Sequence, residues 1–526
     1  MMMKKTMIYI GLFLILFQKG MADINVPKSA EDDAAKILAS IEQCKKFKSY
    51  LIRSKFPVEC DGQYLHFGPT SKTTIGRSTF RLANYNLLHP GTSKTLFKDY
   101  ALMAKVMNTF DLIAAQELLS VIGHDADVNT AIDDYLNNPN LSAAEILSAK
   151  SIYRMPGYLK ILLELKKLDP SWSLLLSPRG DAAILGSVEE FVGYFYRASV
   201  VKLKTNKYCE ENVKSKSNLE SFGCIINLGV KNKYISRRPF MASFTIGKTN
   251  LTLVSSHIVF NFNGDDEAQT DLVKNVFGAN SLEEVGKGVN VVNFARVAEV
   301  KMIMEFIKKY SLKYNDSKVI FSADTNLNPD IEYWNDINAI NNSTLLVNDP
   351  TTLSPQRYNK AGEETLGQAN SYDHFLLNKN SINSCDDGQV INYVDSEFGK
   401  EIEKNYLIRK NSINLSSKKG KPYIYKDDLF DNENPNDETP PTKLDYPLTK
   451  AGEQRMNSFA QIFEQQLLAL KTIKNDQIVS DEFQITERID GLKNRLFLKQ
   501  LTNSFYYRVY QELLSDHFPA YLTCKF

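Results

Sequence analysis

Strand-like segments recur along most of this 526-residue chain, with helix-like stretches between them. The segments are rich in β-branched and aromatic residues, which is typical of strands. Two intervening stretches, 158–167 and 292–309, carry apolar residues at helical spacing. Because this alternation needs sheets covered by helices, it predicts an α/β or α+β sandwich. The segments are STFRLANYNLL, FDLIAAQE, WSLLLSP, EFVGYFYRASVVKL, PFMASFTIG, NLTLVSSHIVF, KVIFSADTN, YDHFLL and HFPAYLTCKF.

The first residues have the three-part layout of an export signal. Lys4 and Lys5 precede the apolar stretch 7–17, and small residues follow at a plausible cleavage site. The apolar stretch is too short to span a bilayer comfortably. We therefore expect a signal peptide over residues 1–22 and a mature protein that begins near Asp23. That protein should be secreted or periplasmic, with no stable membrane insertion.

The overall charge gives no sign of a polyanion-binding protein. Lys plus Arg number 63 and Asp plus Glu number 62, so the net charge is +1. Any nucleic-acid contact would therefore need a local basic cluster. One candidate cluster lies around the fourth strand-like segment, although a solvated charged face is the alternative. Its members are Lys202, Lys204, Lys207, Lys214 and Lys216.

All six cysteines lie beyond the expected signal peptide, and an exported chain with an even number of cysteines is expected to form disulfides. Two pairs would each close a short loop, which stabilises a fold by about 3 kcal/mol in the chain-entropy description. The pairs favoured by spacing are Cys44 with Cys60, Cys209 with Cys224 and, as the remainder, Cys385 with Cys524. Other pairings stay open, and no Cys or His spacing indicates structural zinc.

The strand-like region does not fill the whole chain. Residues 29–56 have a helical pattern, so we expect an N-terminal helical extension over 23–76. A main domain should then cover 77–526. Within it, a helical insertion is expected at about 380–510, because an acidic, Asn- and Pro-rich loop at 427–445 interrupts the pattern.

Several strand-like segments end in polar residues where a purely structural sheet would carry apolar ones. Any single one is more often structural: Glu117 alone would be a solvated strand end, and His257 alone a core histidine with satisfied hydrogen bonds. Their number and order favour a functional site instead. The set comprises Asn86, Glu117, Glu190, Arg237, His257, Asp324, Asn326, Asp373, Asp516 and His517.

In this order and these contexts, the polar residues resemble the motifs of the endonuclease/exonuclease/phosphatase superfamily, most closely its deoxyribonuclease I branch. The similar segments are RLANYNLL, LIAAQE, EEFVGYFYR, ISRRPFMASF, SSHI, SADTNLN, SYDHFLL and LSDHFP. The resemblance covers roughly residues 77–526, interrupted by insertions. It implies a four-layer α/β sandwich of two packed mixed β-sheets flanked by helices, with the site at one end of the sheets. The family also carries a small disulfide loop where Cys209 and Cys224 stand.

The resemblance also implies a role for each residue. Hydrolysis of a phosphodiester needs an activated water, a protonated leaving oxygen and a stabilised phosphate charge. Two histidines share the proton transfers in the family, and the family pattern pairs His257 with Glu190 and His517 with Asp373. A hard divalent cation, Mg²⁺ with Mn²⁺ or Ca²⁺ as alternatives, would be held by oxygen atoms. Its implied ligands are Asn86, Glu117, Asp324 and Asp516, while Asn326 and Arg237 would hold phosphate oxygens.

The implied function is an exported, metal-dependent phosphodiesterase, a deoxyribonuclease I-like endonuclease that acts on DNA. One departure keeps alternatives open, because Leu119 and Val188 stand where that branch contacts the minor groove. The first alternative is a phosphatase or phospholipase C of the same fold, acting on inositol phosphates or sphingomyelin. The second is a non-enzymatic binding or toxin subunit. Strand preference, DNA against RNA, and oligomeric state are not determined by the sequence.

The remaining histidines carry less information. His374 follows Asp373 directly on a strand, so its side chain should point to the opposite face and have a structural or rim role. His66, His89 and His124 have no partners that the sequence identifies.

Overall fold

The structure is a computed structural model. It describes residues 64–69, 79–90, 98–119, 157–177, 190–212, 221–262, 264–355, 365–380, 382–404 and 506–525. The expected signal peptide, the predicted helix at 29–56, the loop at 427–445 and the Cys44–Cys60 pair lie outside these residues. Within the described ranges, no helix is both long and apolar enough to cross a membrane.

The described residues form strands and helices in the alternating order that the sequence predicts. The strands are β1 (Leu65–Phe67), β2 (Thr79–Asn86), β3 (Leu112–Leu119), β4 (Trp172–Leu176), β5 (Glu190–Arg197), β6 (Val201–Lys204), β7 (Gly223–Ile225), β8 (Phe240–Ile246), β9 (Thr249–His257), β10 (Val319–Asp324), β11 (Thr344–Leu346), β12 (Asp373–Leu377), β13 (Gln389–Val390) and β14 (Ala520–Lys525). The α-helices are α1 (Tyr100–Met107), α2 (Gly157–Leu168), α3 (Lys207–Asn212), α4 (Asp266–Leu272), α5 (Leu282–Val285), α6 (Phe294–Tyr314), α7 (Trp334–Ile340), α8 (Glu397–Lys404) and α9 (Arg508–Leu513).

The strands form two mixed sheets of seven strands each. The first has the order β1-β4-β5-β3-β2-β14-β13, and the second has the order β11-β12-β10-β9-β8-β6 with β7 paired to β8. Strands β2 and β3 are parallel in the first sheet, as are β9 and β10 in the second, and antiparallel strands flank each parallel pair. The two sheets therefore repeat one pattern of directions around a central parallel pair.

Three hydrophobic layers hold the molecule together. One lies between the first sheet and helices α1, α2 and α9, and a second lies between the other sheet and helices α6 and α7. The third layer fills the space between the two sheets, with Leu82, Leu253 and Phe375 among its buried members. The predicted four-layer sandwich, with two mixed sheets flanked by helices, is therefore confirmed.

The layer between the sheets becomes polar toward one end. Side chains alternate between the two faces of a strand, so every second residue of β2 points into this layer. Leu82 is apolar, whereas Asn84 and Asn86 follow it on the same face and are fully buried. On β10 the same face carries Ile320 and then Asp324. The ends of the central strands thus deliver polar groups to one place between the sheets.

Two short strands lie within the ranges predicted for the extension and the insertion. Residues Leu65–Phe67, inside 23–76, form β1, which pairs with β4 at the edge of the first sheet. Residues Gln389–Val390, inside 380–510, form β13, which pairs with β14. Strands of two or three residues are too short to show a period, and their pairing partners lie far away in sequence. Residues 405–505, most of the expected insertion, lie outside the described ranges.

Two of the three predicted disulfides lie in the described residues, and both are confirmed. Cys209 on α3 is bonded to Cys224 on β7, and Cys385 is bonded to Cys524 on β14. The second bond joins the segment before β13 to the strand next to β2. It therefore fastens the edge of the first sheet to its centre.

Candidate active site

A cleft of about 380 Å³ opens at the polar end of the layer between the sheets. Eight of the ten predicted site residues line it: Glu117, Glu190, Arg237, His257, Asp324, Asn326, Asp516 and His517. The other two, Asn86 and Asp373, are hydrogen-bonded directly to lining residues. The structure therefore brings the whole predicted set together, and the chemical role of each residue remains a prediction.

The first histidine, His257, is held by a carboxylate and an arginine. Its Nδ1 donates to Glu190 Oε2 across 2.8 Å, and Arg237 Nε lies 2.9 Å from the same oxygen. All three side chains are largely buried. Burial alone would raise the pKa of Glu190, but the charges of His257 and Arg237 hold that pKa well below its ordinary value. Burial and the Arg237 charge disfavour protonated His257, but Glu190 outweighs them and raises the pKa of the imidazole.

The second histidine, His517, has an equivalent arrangement. Its Nδ1 donates to Asp373 Oδ2 across 2.7 Å, and Asn84 Nδ2 donates to the other oxygen of Asp373 across 2.8 Å. Burial disfavours the imidazolium form, but the charges of Asp373 and Asp324 outweigh it and raise the pKa of His517 well above its ordinary value. In both dyads the carboxylate takes Nδ1, which leaves Nε2 as the atom available for proton transfer.

Asp324 lies between the two dyads. Its Oδ2 is 3.6 Å from His257 Nε2 and 3.6 Å from His517 Nε2. Asn86 Nδ2 donates to the same oxygen across 3.0 Å. The Nε2 atoms of both histidines therefore face one buried carboxylate oxygen at the floor of the cleft.

Glu117 reaches the cleft because β3 is irregular. The pairing of β3 with β5 shifts between Ala115 and Leu118, which is a β-bulge, and Glu117 has a left-handed backbone with φ of 57°. Such a conformation costs a non-glycine residue about 1 kcal/mol or more and is concentrated at functional sites. A bulge redirects the side chain at its centre. Here it turns Glu117 toward Asn86, whose Nδ2 donates to Glu117 Oε1 across 2.9 Å.

Two buried carboxylate oxygens at the cleft fit a divalent cation. Glu117 Oε2 and Asp516 Oδ1 have no hydrogen bond to any described residue. A buried oxygen without a donor is costly, and a hard cation can satisfy such an oxygen. Asn86 also contacts this site, but its NH₂ group faces the carboxylates while its oxygen accepts from Leu88 N. Glu117 and Asp516 are therefore the predicted ligands that keep an oxygen available to a metal, whereas both oxygens of Asp324 accept hydrogen bonds, from Asn86 and Asn326.

A second group of possible ligands has a different explanation. Atoms of Asp324, Asp373 and His517 lie within 4.8 Å of one another. However, one oxygen of Asp373 accepts from His517 and the other accepts from Asn84. Because both of its oxygens are occupied, Asp373 is less available to a metal than Glu117 or Asp516.

Asn326 follows β10 in a tight turn. Its backbone is left-handed with φ of 53°, its N–H donates to Asp324 Oδ1 across 3.1 Å, and its Nδ2 donates to the Ile258 carbonyl across 2.9 Å. Arg296 Nη1 in turn donates to the Asn326 carbonyl across 2.7 Å. The turn is thus fixed on three sides at the cleft wall, where the predicted contact with phosphate would occur.

Comparisons with known proteins give structural neighbours only. No protein-family model matches the chain, and no curated protein sequence matches it. It is similar in structure to a mannosyl-6-phosphatase from Bacteroides thetaiotaomicron, with 12% identity over 56% of this chain and 84% of that chain and a TM-score of 0.30. It is also similar to an endonuclease/exonuclease/phosphatase family protein from the same organism, with 12% identity over 60% of this chain and 89% of that chain and a TM-score of 0.31. A third similar structure is D. rerio TDP2 complexed with a single-strand DNA product, with 14% identity over 60% of this chain and 91% of that chain and a TM-score of 0.29.

The two sheets decide the architecture. Each carries a central parallel pair, they pack face to face between helical layers, and the ordered motif residues meet at one end. The chain has the endonuclease/exonuclease/phosphatase fold. Its place in the deoxyribonuclease I branch stays a prediction, because Val188 and the side chain of Leu119 lie outside the described residues.

A buried amide network beneath the site was not predicted. Gln116 Nε2 donates to Asn84 Oδ1 and to Ser255 Oγ, each across 2.8 Å, and Ser322 Oγ donates to the same Asn84 oxygen across 2.8 Å. These residues come from β2, β3, β9 and β10, so the network joins both sheets. Its remaining donor, Asn84 Nδ2, is the one that fixes Asp373. The only signal in the sequence was the polar pair of Asn84 and Asn86 inside an otherwise apolar strand.

Hydrogen bonds from Ser515 and Lys98 hold the turn that carries His517. Ser515 Oγ donates to the Asn86 carbonyl across 2.6 Å and accepts from His517 N across 3.1 Å. Lys98 is buried and donates from Nζ to the carbonyls of Leu514 and Gln511. Burial lowers the pKa of Lys98 to about 8. The serine of the terminal Ser-Asp-His segment therefore positions the histidine, and Lys98 is a support that the sequence did not identify.

His374 lies where the alternation of β12 predicts. It is fully buried on the face opposite Asp373, and its ring nitrogens contact the carbonyls of Val347, Leu327 and Ser371. The prediction of a structural role is confirmed.

The predicted lysine cluster is not at the cleft. Lys204 pairs with Ser243, and Ser243 pairs with Thr252, which precedes His257 by five residues on β9. At about 3.3 Å per residue, this displaces Lys204 by about 17 Å from His257 along the strand direction alone, and β8 separates the two strands as well. Lys204 and Lys207 line a separate cavity at the start of β9. These lysines therefore lie too far away to hold the reacting phosphate, while Lys214 and Lys216 lie outside the described residues.

Glu299 on α6 connects the backbone next to Arg237 with the backbone that follows His257 at the end of β9. It is fully buried, and its oxygens accept from Ser236 N across 2.5 Å and from Val259 N across 3.1 Å. Burial raises the pKa of Glu299 from 4.5 to about 7, against the opposing effect of these hydrogen bonds. The carboxyl group is therefore a positioning element whose ionisation opposes folding.

We predict a pH-dependent stability effect of Glu299→Gln. The folded protein binds the Glu299 proton more tightly than the unfolded chain does, so this residue's contribution to stability falls as the pH rises from about 4.5 through about 7. Glutamine does not titrate. The difference in unfolding free energy, variant minus wild type, should therefore be more positive at pH 8 than at pH 4.5 by about 3 kcal/mol. Urea unfolding of both proteins at the two pH values would measure it. An equal difference at the two pH values would contradict the assignment.

Proposed function

We propose that this protein is an exported, divalent-metal-dependent phosphodiesterase that cleaves DNA as an endonuclease. The observation that carries the proposal is the pair of histidine–carboxylate dyads on opposite sides of Asp324. His257 Nε2 and His517 Nε2 each lie 3.6 Å from the same Asp324 oxygen. Two such groups across one cleft suit a displacement in which one imidazole accepts a proton from water and the other donates to the leaving oxygen.

The side chains divide the work as follows. Glu190 and Asp373 hold Nδ1 of each imidazole, so that Nε2 of each ring faces the reacting groups. Glu117, Asp516 and Asp324 would hold the cation, with Asn86 contacting two of these carboxylates. A bound divalent cation supplies charge neutralisation at the phosphate.

Two further side chains would contact the phosphate oxygens. Asn326 and Arg237 are the predicted contacts, and both line the cleft. Arg237 already bridges to Glu190, where its Nη2 donates to Oε1 across 3.2 Å. It would therefore couple the position of the phosphate to that of the His257 dyad, in addition to supplying charge.

A phospholipase C or phosphatase of the same fold is the second candidate. Phe260 stands at the rim of the cleft with 52% of its surface exposed, and the Arg296 guanidinium lies over its ring at 4.7 Å. An exposed ring beside a phosphate site suits a stacked nucleobase or an apolar part of a lipid. The aliphatic residues Leu119 and Val188 favour the lipid alternative, and the ordered motif set favours DNA.

A substrate panel separates these candidates. Purified mature protein would be incubated with supercoiled plasmid, sphingomyelin vesicles or inositol phosphates, each with Mg²⁺ and with EDTA. We expect nicked plasmid in the Mg²⁺ reaction and no release of phosphorylcholine or inorganic phosphate. If either product were released while the plasmid stayed intact, the protein would be a phospholipase C or phosphatase and not a nuclease. If no substrate gave a product, the remaining interpretation would be a non-enzymatic binding or toxin subunit.

Export is supported by the three-part N-terminal layout and by the two disulfides. Both features suit a protein that works in an oxidising compartment. The proposed partner is therefore nucleic acid outside the cytoplasm.

A further inference from the structure

Phe260 presents an aromatic ring to solvent at the cleft, three residues after His257. Among the side chains that the structure describes, it is the only phenylalanine, tyrosine or tryptophan that is strongly exposed, with 52% of its surface accessible. It lines the cleft together with Asp324 and Asn326. Exposure alone says little, because single apolar residues are common on protein surfaces. What distinguishes Phe260 is its place in the cleft and the way in which the fold holds it.

The backbone that leads to Phe260 is fixed by hydrogen bonds. Ile258 N donates to the Asp324 carbonyl across 2.9 Å. Val259 N donates to Glu299 Oε2 across 3.1 Å. The segment that follows β9 is therefore tied to β10 through one residue and to α6 through the next.

Arg296 then fixes the position of the ring. Its Nε and Nη2 donate to the Phe260 carbonyl across 2.8 and 2.5 Å, and its Nη1 donates to the Asn326 carbonyl across 2.7 Å. The guanidinium carbon of this buried arginine lies 4.7 Å from the centre of the Phe260 ring, within the range of a cation–π contact. Because Arg296 covers one face of the ring, the exposed surface of Phe260 belongs to the other face and to the ring edge.

The surroundings of the open face suit a planar polar group better than a lipid chain. Of the other described residues that line the cleft, only Leu353 is aliphatic, and it is buried. A lipid chain needs a continuous apolar surface, whereas a nucleobase needs one ring on which to stack. Asn370 and Tyr372 also line the cleft and carry groups that can form hydrogen bonds with the edge of a base.

We propose that Phe260 is the residue on which a nucleobase of the substrate stacks, beside the phosphate that is cleaved. This role rests on the proposed function and deepens it, because it gives a phosphodiesterase site a means of selecting nucleic acid. A ring that is already fixed loses little conformational entropy when a base covers it. Stacking of one base on an aromatic side chain contributes about tenfold or more in affinity and tolerates every base. Binding should therefore depend on the presence of a base and little on its identity.

The binding of two monophosphates tests this role without catalysis. Deoxyadenosine 5′-phosphate and deoxyribose 5-phosphate share a sugar and a phosphate and differ in the base. NMR titrations with Mg²⁺ would give both dissociation constants for mature wild-type protein and for Phe260→Ala, Phe260→Leu, Phe260→Trp and Leu312→Ala. Leu312 on α6 is 76% exposed and lies outside the cleft lining, so its variant is the matched control.

We expect wild type, Phe260→Trp and Leu312→Ala to bind the nucleotide about tenfold or more tightly than the sugar phosphate. Phe260→Ala should bind the two ligands alike. Phe260→Leu keeps an apolar side chain without a ring and should also bind them alike, so it carries the comparison if circular dichroism shows that Phe260→Ala is not folded. Equal binding of the two ligands by wild type, binding of neither, or an unchanged preference in the folded leucine variant would overturn the role of Phe260.

Two further results separate this role from the proposed function. If Phe260→Leu lost binding to sphingomyelin vesicles while wild type bound the two monophosphates alike, the ring would be a lipid contact and the base-stacking role would be rejected. If wild type cleaved plasmid DNA without preferring the nucleotide, the proposed function would stand and the role of Phe260 would fall. A preference that depends on Phe260 in a protein that cleaves no DNA would reject the endonuclease and leave the base contact standing.

Discussion

Replacing His517 by alanine should lower turnover by about 10²-fold or more and change substrate binding little. The imidazole donates to Asp373 through Nδ1 and presents Nε2 to the cleft. Loss of one proton-transfer group typically costs 10² to 10⁴ in rate, and the loss appears in kcat when the group acts in the transition state. Steady-state kinetics at saturating metal would separate kcat from KM. His257→Ala should have an effect of the same size, because its dyad has the same geometry.

Stability has to be measured beside activity in these variants. His517→Ala leaves the fully buried Asp373 without its principal partner, which can cost several kcal/mol. His66→Ala removes a histidine outside the cleft lining and is the matched control. A folded His517→Ala protein with undiminished kcat would show that the terminal Ser-Asp-His segment is only a turn. The assignment of the whole site would then be withdrawn.

Asp324→Asn should reduce turnover by about 10³-fold, the second large effect that we expect. Asp324 Oδ2 faces both Nε2 atoms and accepts from Asn86 Nδ2. Asparagine keeps the shape but removes a charge, so both histidines and the cation lose a shared electrostatic partner, and electrostatic contributions of this kind are worth 10² to 10³ each. Single-turnover rates measured with increasing Mg²⁺ would show whether metal restores activity.

If high Mg²⁺ fully restored the turnover of Asp324→Asn, the role of Asp324 would be only that of a metal ligand. We predict incomplete recovery, because added metal cannot replace a carboxylate whose charge also raises the pKa of both imidazoles. Wild-type turnover in the Asp324→Asn protein at low Mg²⁺ would contradict both roles.

The sequence predicts the main strands and the site because the two depend on the same local pattern. Apolar residues define each central strand, and the polar residue at its end marks where the strand leaves the core. Asn86, His257 and Asp324 follow this rule on β2, β9 and β10. Their convergence follows because these strands are central and parallel within each sheet. The order of motifs then identifies the fold more firmly than any single residue could.

What the sequence misses depends on contacts between distant residues. His89 follows a strand in a left-handed turn, and its approach to Glu117 depends on the contact between Gly157 and Pro90. The direction of the Glu117 side chain depends on a bulge that appears only when β3 pairs with β5. The role of Gln116 depends on its partners on two other strands. None of these features leaves a periodic signal in its own segment.

The most direct test of the central claim is the cleavage of supercoiled plasmid DNA by wild-type protein and by folded His517→Ala protein under the same conditions. We predict that wild-type protein nicks the plasmid with Mg²⁺ and not after EDTA is added, and that the variant nicks it more slowly by about 10²-fold or more. Plasmid that stays intact with wild-type protein at every Mg²⁺ and Mn²⁺ concentration would contradict the proposed nuclease. Cleavage that persists in EDTA would contradict the metal dependence of the proposed site. Cleavage that is equally fast in the variant would contradict the proposed role of His517.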